Sequence, residues 1–284
     1  MHRPSQWLHD FAKNVTSQYG EDGILEKVLE TVTDNDNWCV EFGAWDGKLF
    51  SNTYNLINNK DYLAVLIEAD SRKFRDLLKT YKKNSRVIPL NAFVGFEKEN
   101  GLDAILEPTG IPVNFDFLSI DIDGNDYHVW EAVQNYKPKV VVIEYNPTIS
   151  NKVNFVQKPD IGINQGSSLL ATDKLAKRKG YELVAVTKTN AIFVDSKYFG
   201  LFGIKNNHVD VMRTNESSVT YIFNGFDGTV FIRGYGKLAW HGIPYRESKI
   251  QPLPKWLRGY PKNYGWFKRM IAKLYRSLYK RHII

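Results

Sequence analysis

Residues Cys39-Val40-Glu41-Phe42-Gly43-Ala44-Trp45-Asp46-Gly47 decide the fold. An apolar strand end runs into an acid, and two glycines then bracket a short turn. Glycine accepts positive φ and lets the backbone approach a neighbour where a Cβ would clash. A strand followed by such a turn is what an open α/β sheet places at its ligand crevice. The acid excludes one class of ligand. A pyrophosphate seeks amide donors at a helix N-terminus, and Glu41 would repel it.

S-adenosylmethionine (SAM) has no phosphate. It carries a sulfonium, an ammonium and ribose hydroxyls, all of which tolerate or favour nearby carboxylates. Glu41-x-Gly43-x-x-Asp46-Gly47 resembles motif I of the class I SAM-dependent methyltransferases. With Ser17-Gln18-Tyr19-Gly20-Glu21-Asp22 upstream and Ser51-Asn52-Thr53 downstream, the setting resembles the FkbM-like group, over residues 15–200 or so. The resemblance implies a Rossmann-like α/β sheet, mostly parallel and closed by an antiparallel hairpin. It also implies SAM as cofactor and oxygen as the methyl acceptor. In that reading Gln18 borders the cofactor pocket, and the turn from Glu41 through Ala44, Trp45 and Asp46 to Gly47 lines it.

At 284 residues the chain suits one large α/β domain with an appendage. The expected segments are an N-terminal helical piece (1–36), the methyltransferase domain (37–200), an accessory segment on the acceptor side (201–254) and a basic amphipathic helix (255–284). Apolar residues at 43% and charged residues at 24% are ordinary for a soluble protein, and aromatics at 14% suit cavities for flat or glycan-like ligands. No apolar run reaches the roughly 20 residues of a membrane span. Met1-His2-Arg3-Pro4 leads into polar sequence rather than an apolar signal segment. The single cysteine, Cys39, cannot form an intramolecular disulfide and is expected as a small buried hydrophobe. A cytoplasmic location follows as the default. The net charge of +7 is unevenly spread: from Lys255 onward there are nine Lys and Arg and no Asp or Glu.

Taken in order, Trp7, Leu8 and Phe11 recur at helical spacing, and Gln18–Leu29 reads as a helix. The first strand is Trp38–Phe42. Ser51-Asn52-Thr53 opens a helix over 53–58, as an N-cap or as a holder of the SAM carboxylate. The second strand, Leu63–Glu68, is apolar up to its final acid, which marks a central parallel strand. Glu68 lies about twenty residues past the turn, where nucleotide folds grip ribose hydroxyls, and Ala69 follows it. After a basic helix over 72–81, the third strand is Val87–Leu90. Asn91-Ala92 beyond it is an adenine-contacting corner or a short turn. A short helix over 102–106 precedes the fourth strand, Phe115–Ile120. Tyr127–Val133 is a helix with His128 near its start, and Val140–Ile143 is the fifth strand. Residues 146–167 lack periodicity, as a lid or binding loop does. A helix then runs to Lys179, Gly180 stops it, and Tyr181–Thr187 pairs with Asn190–Val194 as a hairpin.

Asp121 and Asp123 emerge from the fourth strand on one face, and Glu144 and Asn146 from the fifth. Their oxygens suit a hard cation such as Mg²⁺, and the later ligands of an EF-hand are missing. Catechol-type and macrocin-type O-methyltransferases use similar oxygen ligands there. Gly124, however, stands where the catechol type carries its lysine base, so a divalent metal stays an open question. Asp121, which also touches the cofactor in this reading, is a candidate general base with Asp123, Glu144 and His128. His128 reads equally as a helix-surface residue.

Three other functions are weighed. A nicotinamide-dependent oxidoreductase suits Glu68, but the turn is not Gly-x-Gly-x-x-Gly. A nucleic-acid methyltransferase would carry an Asn/Asp-Pro-Pro-aromatic motif after the fourth strand and a wider basic footprint. A non-catalytic binding module on the same fold remains. The expected function is SAM-dependent O-methylation of a sugar or glycan-like hydroxyl.

Over Tyr264–Ile284, Trp266, Phe267, Met270, Ile271, Leu274, Tyr275 and Leu278 form an apolar stripe flanked by Lys268, Arg269, Lys273, Arg276, Lys280 and Arg281. The readings are a terminal helix docked on the body, a nucleic-acid contact, or a helix lying in a membrane interface. The last, on the cytoplasmic face near a lipid-linked acceptor, is the expected partner surface.

Overall fold

The computed structural model describes residues 3–280. The chain divides into two compact units, one ending at Asn215 and the other starting at Glu216.

The first unit is built on seven strands: β1 (Trp38–Phe42), β2 (Leu63–Ile67), β3 (Val87–Leu90), β4 (Phe117–Ile120), β5 (Val140–Glu144), β6 (Tyr181–Val186) and β7 (Asn190–Asp195). They lie in the order β3-β2-β1-β4-β5-β7-β6. The pairs among β1 to β5 are parallel, while β7 runs antiparallel to both β5 and β6. This is the Rossmann-like, mostly parallel sheet with a closing hairpin. The central strands are almost wholly buried, as continuous Val, Ile and Leu runs require when helices cover both faces. Cys39 is buried within β1, and burial pushes its thiol well above its usual range.

The helices of this unit are α1 (Glu21–Thr31), α2 (Tyr54–Asn59), α3 (Ser71–Thr80), α4 (Leu102–Leu106), α5 (Asp126–Ala132), α6 (Leu169–Arg178), α7 (Ser196–Phe199) and α8 (Val209–Met212). Side-chain caps bound the longer helices α3 and α6. Asp70 caps α3 by accepting from the amides of Arg72 and Lys73. Ser168 caps α6 on the amide of Ala171, and Gly180, at φ +78°, follows its end. α1 begins at Glu21, three residues later than its periodicity suggests. The reason is Asp22, whose Oδ2 gathers the amides of Val15, Thr16 and Ser17 and winds the preceding chain into a turn, with Gly20 at φ +94°.

The expected segment limits at 36 and 200 do not coincide with the units. Arg3 bridges to Ile204, and Gln6 Nε2 donates to the carbonyl of Val211 at 2.7 Å. Arg213, buried, donates to the carbonyls of Pro147 and Ile149. Residues 3–36 and 201–215 therefore lie in the same unit as the sheet, and the second unit starts at Glu216.

The second unit contains a two-stranded antiparallel hairpin, β8 (Thr220–Asn224) with β9 (Val230–Gly234), and the helix α9 (Trp266–Lys280). The end of the stripe read from the sequence, including Arg281, lies outside the described residues. No helix among the described residues is long and apolar enough to cross a membrane.

Candidate functional site at the strand ends

Strand order reverses between β1 and β4, since β2 and β3 lie to one side and β5 to the other. Ligands of open α/β sheets bind beyond the carboxyl ends of the strands at this switch point. Every acid singled out in the sequence lies at or near those ends.

Glu41 is enclosed rather than open. Its Oε2 accepts from the hydroxyls of Ser51 and Thr53, both at 2.6 Å, and Oε1 accepts from the amide of Asn52 at 2.8 Å. Burial raises its pKa, and these three donors oppose the shift. Ser51-Asn52-Thr53 thus closes on Glu41, while Ser51 Oγ also accepts from the amides of Thr53 and Tyr54 at the start of α2. Asn52 Nδ2 reaches Ser119 of β4 at 3.1 Å. The upstream segment meets this cage through Thr16, whose hydroxyl donates to the Ser51 carbonyl, whereas Gln18 is exposed.

The turn itself has three features. Gly43 has φ +74°, and Gly47 has φ +71° with its carbonyl accepting from Tyr81. Asp46 Oδ1 accepts from the amides of Lys48 and Leu49 and shapes the chain after the turn. Ala44 is buried, and Trp45, at φ +50°, is exposed with Lys73 Nζ 4.1 Å from its ring centroid.

Glu68 connects the turn to β2. Its Oε2 accepts from the amide of Trp45 at 2.8 Å, and its Oε1 from the amide of Asp70 at 2.7 Å. A carboxylate has about four lone-pair sites, so each oxygen keeps capacity for a ligand hydroxyl. Asn91 donates to the carbonyls of Glu68 and Ala69 at 2.7 and 3.2 Å, tying the end of β3 to that of β2. Ala92 packs half-buried against the core.

Asp121, Asp123 and Glu144 form the acid cluster. One oxygen from each lies within 4.8 Å of the others. Burial first, then repulsion by Asp121, Asp126 and Asp123, pushes Glu144 up to about 10. Asp121 is raised well above the carboxylate range by burial, with Asp126 and Asp123 next. Three carboxyls this close cannot all ionise cheaply, so the cluster favours a positive charge beside it.

Two expected members have partners of their own. Asn146 Oδ1 accepts from the amide and hydroxyl of Thr148, and Nδ2 donates to the Gln165 carbonyl. Its oxygen therefore shapes the loop start. His128 Nε2 lies 2.7 Å from the carbonyl of Gln157, and Nδ1 lies 4.0 Å from Glu131. That arrangement makes His128 a fastening for the loop.

Sequence reasoning missed two residues. Asp126, buried, accepts from the amides of Ile122 and Gly124 and so folds the turn that presents Asp121 and Asp123. Its signal was present as the third acid of Asp121-x-Asp123-Gly-x-Asp126. Gln157 gave no signal. Its Nε2 donates to Asn125 Oδ1 and the Ile163 carbonyl, and its Oε1 accepts from the amides of Gln165 and Gly166. Asn125 Nδ2 in turn donates to the Asp160 carbonyl. Together with Asn125, this side chain ties the 155–166 strap to the turn after β4.

No family model matches the chain, and no curated protein matches it. Solved structures do resemble it. The CMeT domain of the citrinin polyketide synthase has 12% identity and a TM-score of 0.41, covering 61% of this chain and 50% of that one. The N-terminal domain of EvdMO1 with SAH bound has 8% identity and a TM-score of 0.40, covering 62% and 80%. TrmK of M. capricolum, in complex with S-adenosyl-homocysteine, has 13% identity and a TM-score of 0.40, covering 66% and 72%. The likeness thus spans about half the length of the polyketide synthase domain. At such identities and scores these proteins assign no function to this chain.

Proposed function

We propose that the chain is a class I SAM-dependent methyltransferase that methylates a hydroxyl oxygen. The observation that supports this most is Glu68, a buried carboxylate fastened by the Trp45 amide to the glycine turn after β1. It offers its remaining lone pairs beyond the end of β2, beside the switch point, where the hydroxyls of a ribose diol would donate to them. The acid cluster at the ends of β4 and β5 supplies the environment that a sulfonium and an ammonium favour.

Methyl transfer is an in-line displacement. The acceptor oxygen forms a bond to the methyl carbon, the S–CH₃ bond breaks, and its electron pair stays on sulfur. The products are the methyl ether, S-adenosylhomocysteine and one proton. Holding the two reactants in line is worth about 7–11 kcal/mol in ideal cases. The positive charge of a bound sulfonium would favour ionisation of the Asp121–Glu144 pair, whose carboxylate then takes the acceptor proton. The three carboxylates Asp121, Asp123 and Glu144 also fit a hard divalent cation by donor type. Such a cation would lower the pKa of the acceptor hydroxyl and relieve the mutual repulsion of the acids. The acceptor we propose is a sugar hydroxyl, on the strength of the FkbM-like resemblance.

Calorimetric titration tests the cofactor. SAM and S-adenosylhomocysteine should bind the wild-type protein, and Glu68→Ala should weaken both by about 1.5–3 kcal/mol, the scale of charged hydrogen bonds. Equal affinity in the two proteins, or binding of NAD in place of SAM, overturns the assignment.

A further inference from the structure

The unit from Glu216 onward has a charge balance unlike the rest of the chain. It holds thirteen Lys and Arg against three Asp and Glu, a net charge of +10 in a protein whose total is +7. Everything before it is net −3. The basic character of the protein is therefore a property of this unit.

Within it, α9 presents two different faces. Helical residues turn by about 100° each, so positions four apart share a face. One side is fastened inside the unit. Tyr275 donates to the Pro252 carbonyl at 2.9 Å, and Lys268 Nζ to the Arg258 carbonyl at 3.1 Å. Ile271 and Leu278 are half-buried on this side.

The other side is uncovered. Trp266 is 78% exposed, Met270 53% and Leu274 60%, at consecutive four-residue steps, with Phe267 at 57% beside them. Arg269, Lys273, Arg276 and Lys280 border this row and are exposed. None of the four forms an ion pair with a described residue, and α9 contains no acid. Trp256, at 60%, and Phe226, at 90%, are exposed in the same unit. A helix stabilised only by docking would bury its apolar row and leave its cations in water. Here an apolar row and a cationic row stand side by side in solvent.

We propose that this unit is a membrane-interface module whose partner is an anionic phospholipid bilayer. Trp266, Met270 and Leu274 enter the boundary between headgroups and acyl chains, and Arg269 and Lys273 meet the lipid phosphates. Adjacent apolar and cationic rows are what the interface rewards, and Trp suits that depth. A nucleic acid would engage the cations and stack on Trp266, but it offers nothing to Met270 and Leu274. The inference does not depend on methyl transfer, since its readout is lipid binding alone.

The experiment is co-sedimentation of the full-length protein with vesicles of phosphatidylcholine containing phosphatidylserine, and with vesicles of phosphatidylcholine alone. Wild type should bind the anionic vesicles, more weakly at high salt, and bind the neutral ones far less. Arg269→Glu with Lys273→Glu should lower binding by about tenfold or more, at roughly 1 kcal/mol per cation near the surface. Trp266→Ser with Leu274→Ser should lower it comparably without changing the salt dependence. These side chains are solvent-exposed, and a thermal melt confirms that each variant stays folded. A second pair, Arg269→Gln with Lys273→Gln, removes charge without reversing it and should fall in between. Wild-type binding by the Arg269→Glu/Lys273→Glu variant or by the Trp266→Ser/Leu274→Ser variant, equal binding to neutral vesicles, or retention by RNA with no vesicle binding overturns the proposal.

Discussion

Gly43 lies directly against the carbonyl of Asp121: a Cβ placed on Gly43 would stand 2.0 Å from that oxygen. The glycine of the turn after β1 therefore serves the contact between two strand ends as well as any ligand. The residue that shapes the turn after β1 and the residue that starts the acid cluster are packed backbone to backbone.

Any side chain at Gly43 must move one of these strand ends and must also adopt φ +74°. Gly43→Ala should cost about 3 kcal/mol or more, combining overpacking with a strained backbone. A urea titration measures this, and SAM affinity should fall in parallel. A variant as stable as wild type would show that the turn gives way freely.

Asp121→Asn and Glu144→Gln should each abolish most turnover while SAM binding largely persists. Radiolabelled methyl transfer and calorimetry on the same preparations separate the two effects. If the acids hold a cation, EDTA should inhibit and Mg²⁺ should restore activity. Full activity in EDTA removes the metal and leaves the proton-accepting role, and full activity in both variants removes the site.

The acid cluster sets a pH dependence of stability. Folding raises Glu144 to about 10 and Asp126 to about 6, whereas unfolded carboxyls titrate near 4. Across that window the folded protein binds more protons than the unfolded one. Stability is therefore fully present below the unfolded values and is lost as pH rises through the folded ones. The melting temperature should fall between pH 6 and pH 10, and Glu144→Gln should flatten the decline. A wild-type profile that is already flat would contradict the burial of this carboxyl.

Gln157→Ala removes four side-chain hydrogen bonds from the strap. Amide hydrogen exchange should accelerate over residues 155–166 and stay unchanged in β1, β4 and β5. Uniform acceleration throughout the sheet would mean that Gln157 supports the whole fold instead.

The sheet was legible because its physics is local. β1, β3 and α4 start and end where periodicity and apolar runs place them. Helix starts were less legible, because α1 is delayed by the reach of Asp22 across several residues, a tertiary choice that propensity does not encode. At the site, alternation placed Asp121 and Asp123 correctly beside Glu144. It did not foresee that Asn146, at a loop start, satisfies its own turn. Gln157 was invisible for a related reason: a lone amide in an aperiodic stretch acquires meaning only from the backbone groups that gather round it.

The way the strap is fastened has an evolutionary corollary. Asp160 meets Asn125 through its main-chain carbonyl, which any residue could supply, its Oδ1 accepts only from the amide of Gly162 within the tip, and Ile161 is exposed. The tip of the strap can therefore be rewritten in sequence while Gln157 and Asn125 keep its frame. A lineage could vary this tip by drift alone, leaving the strand ends inherited intact.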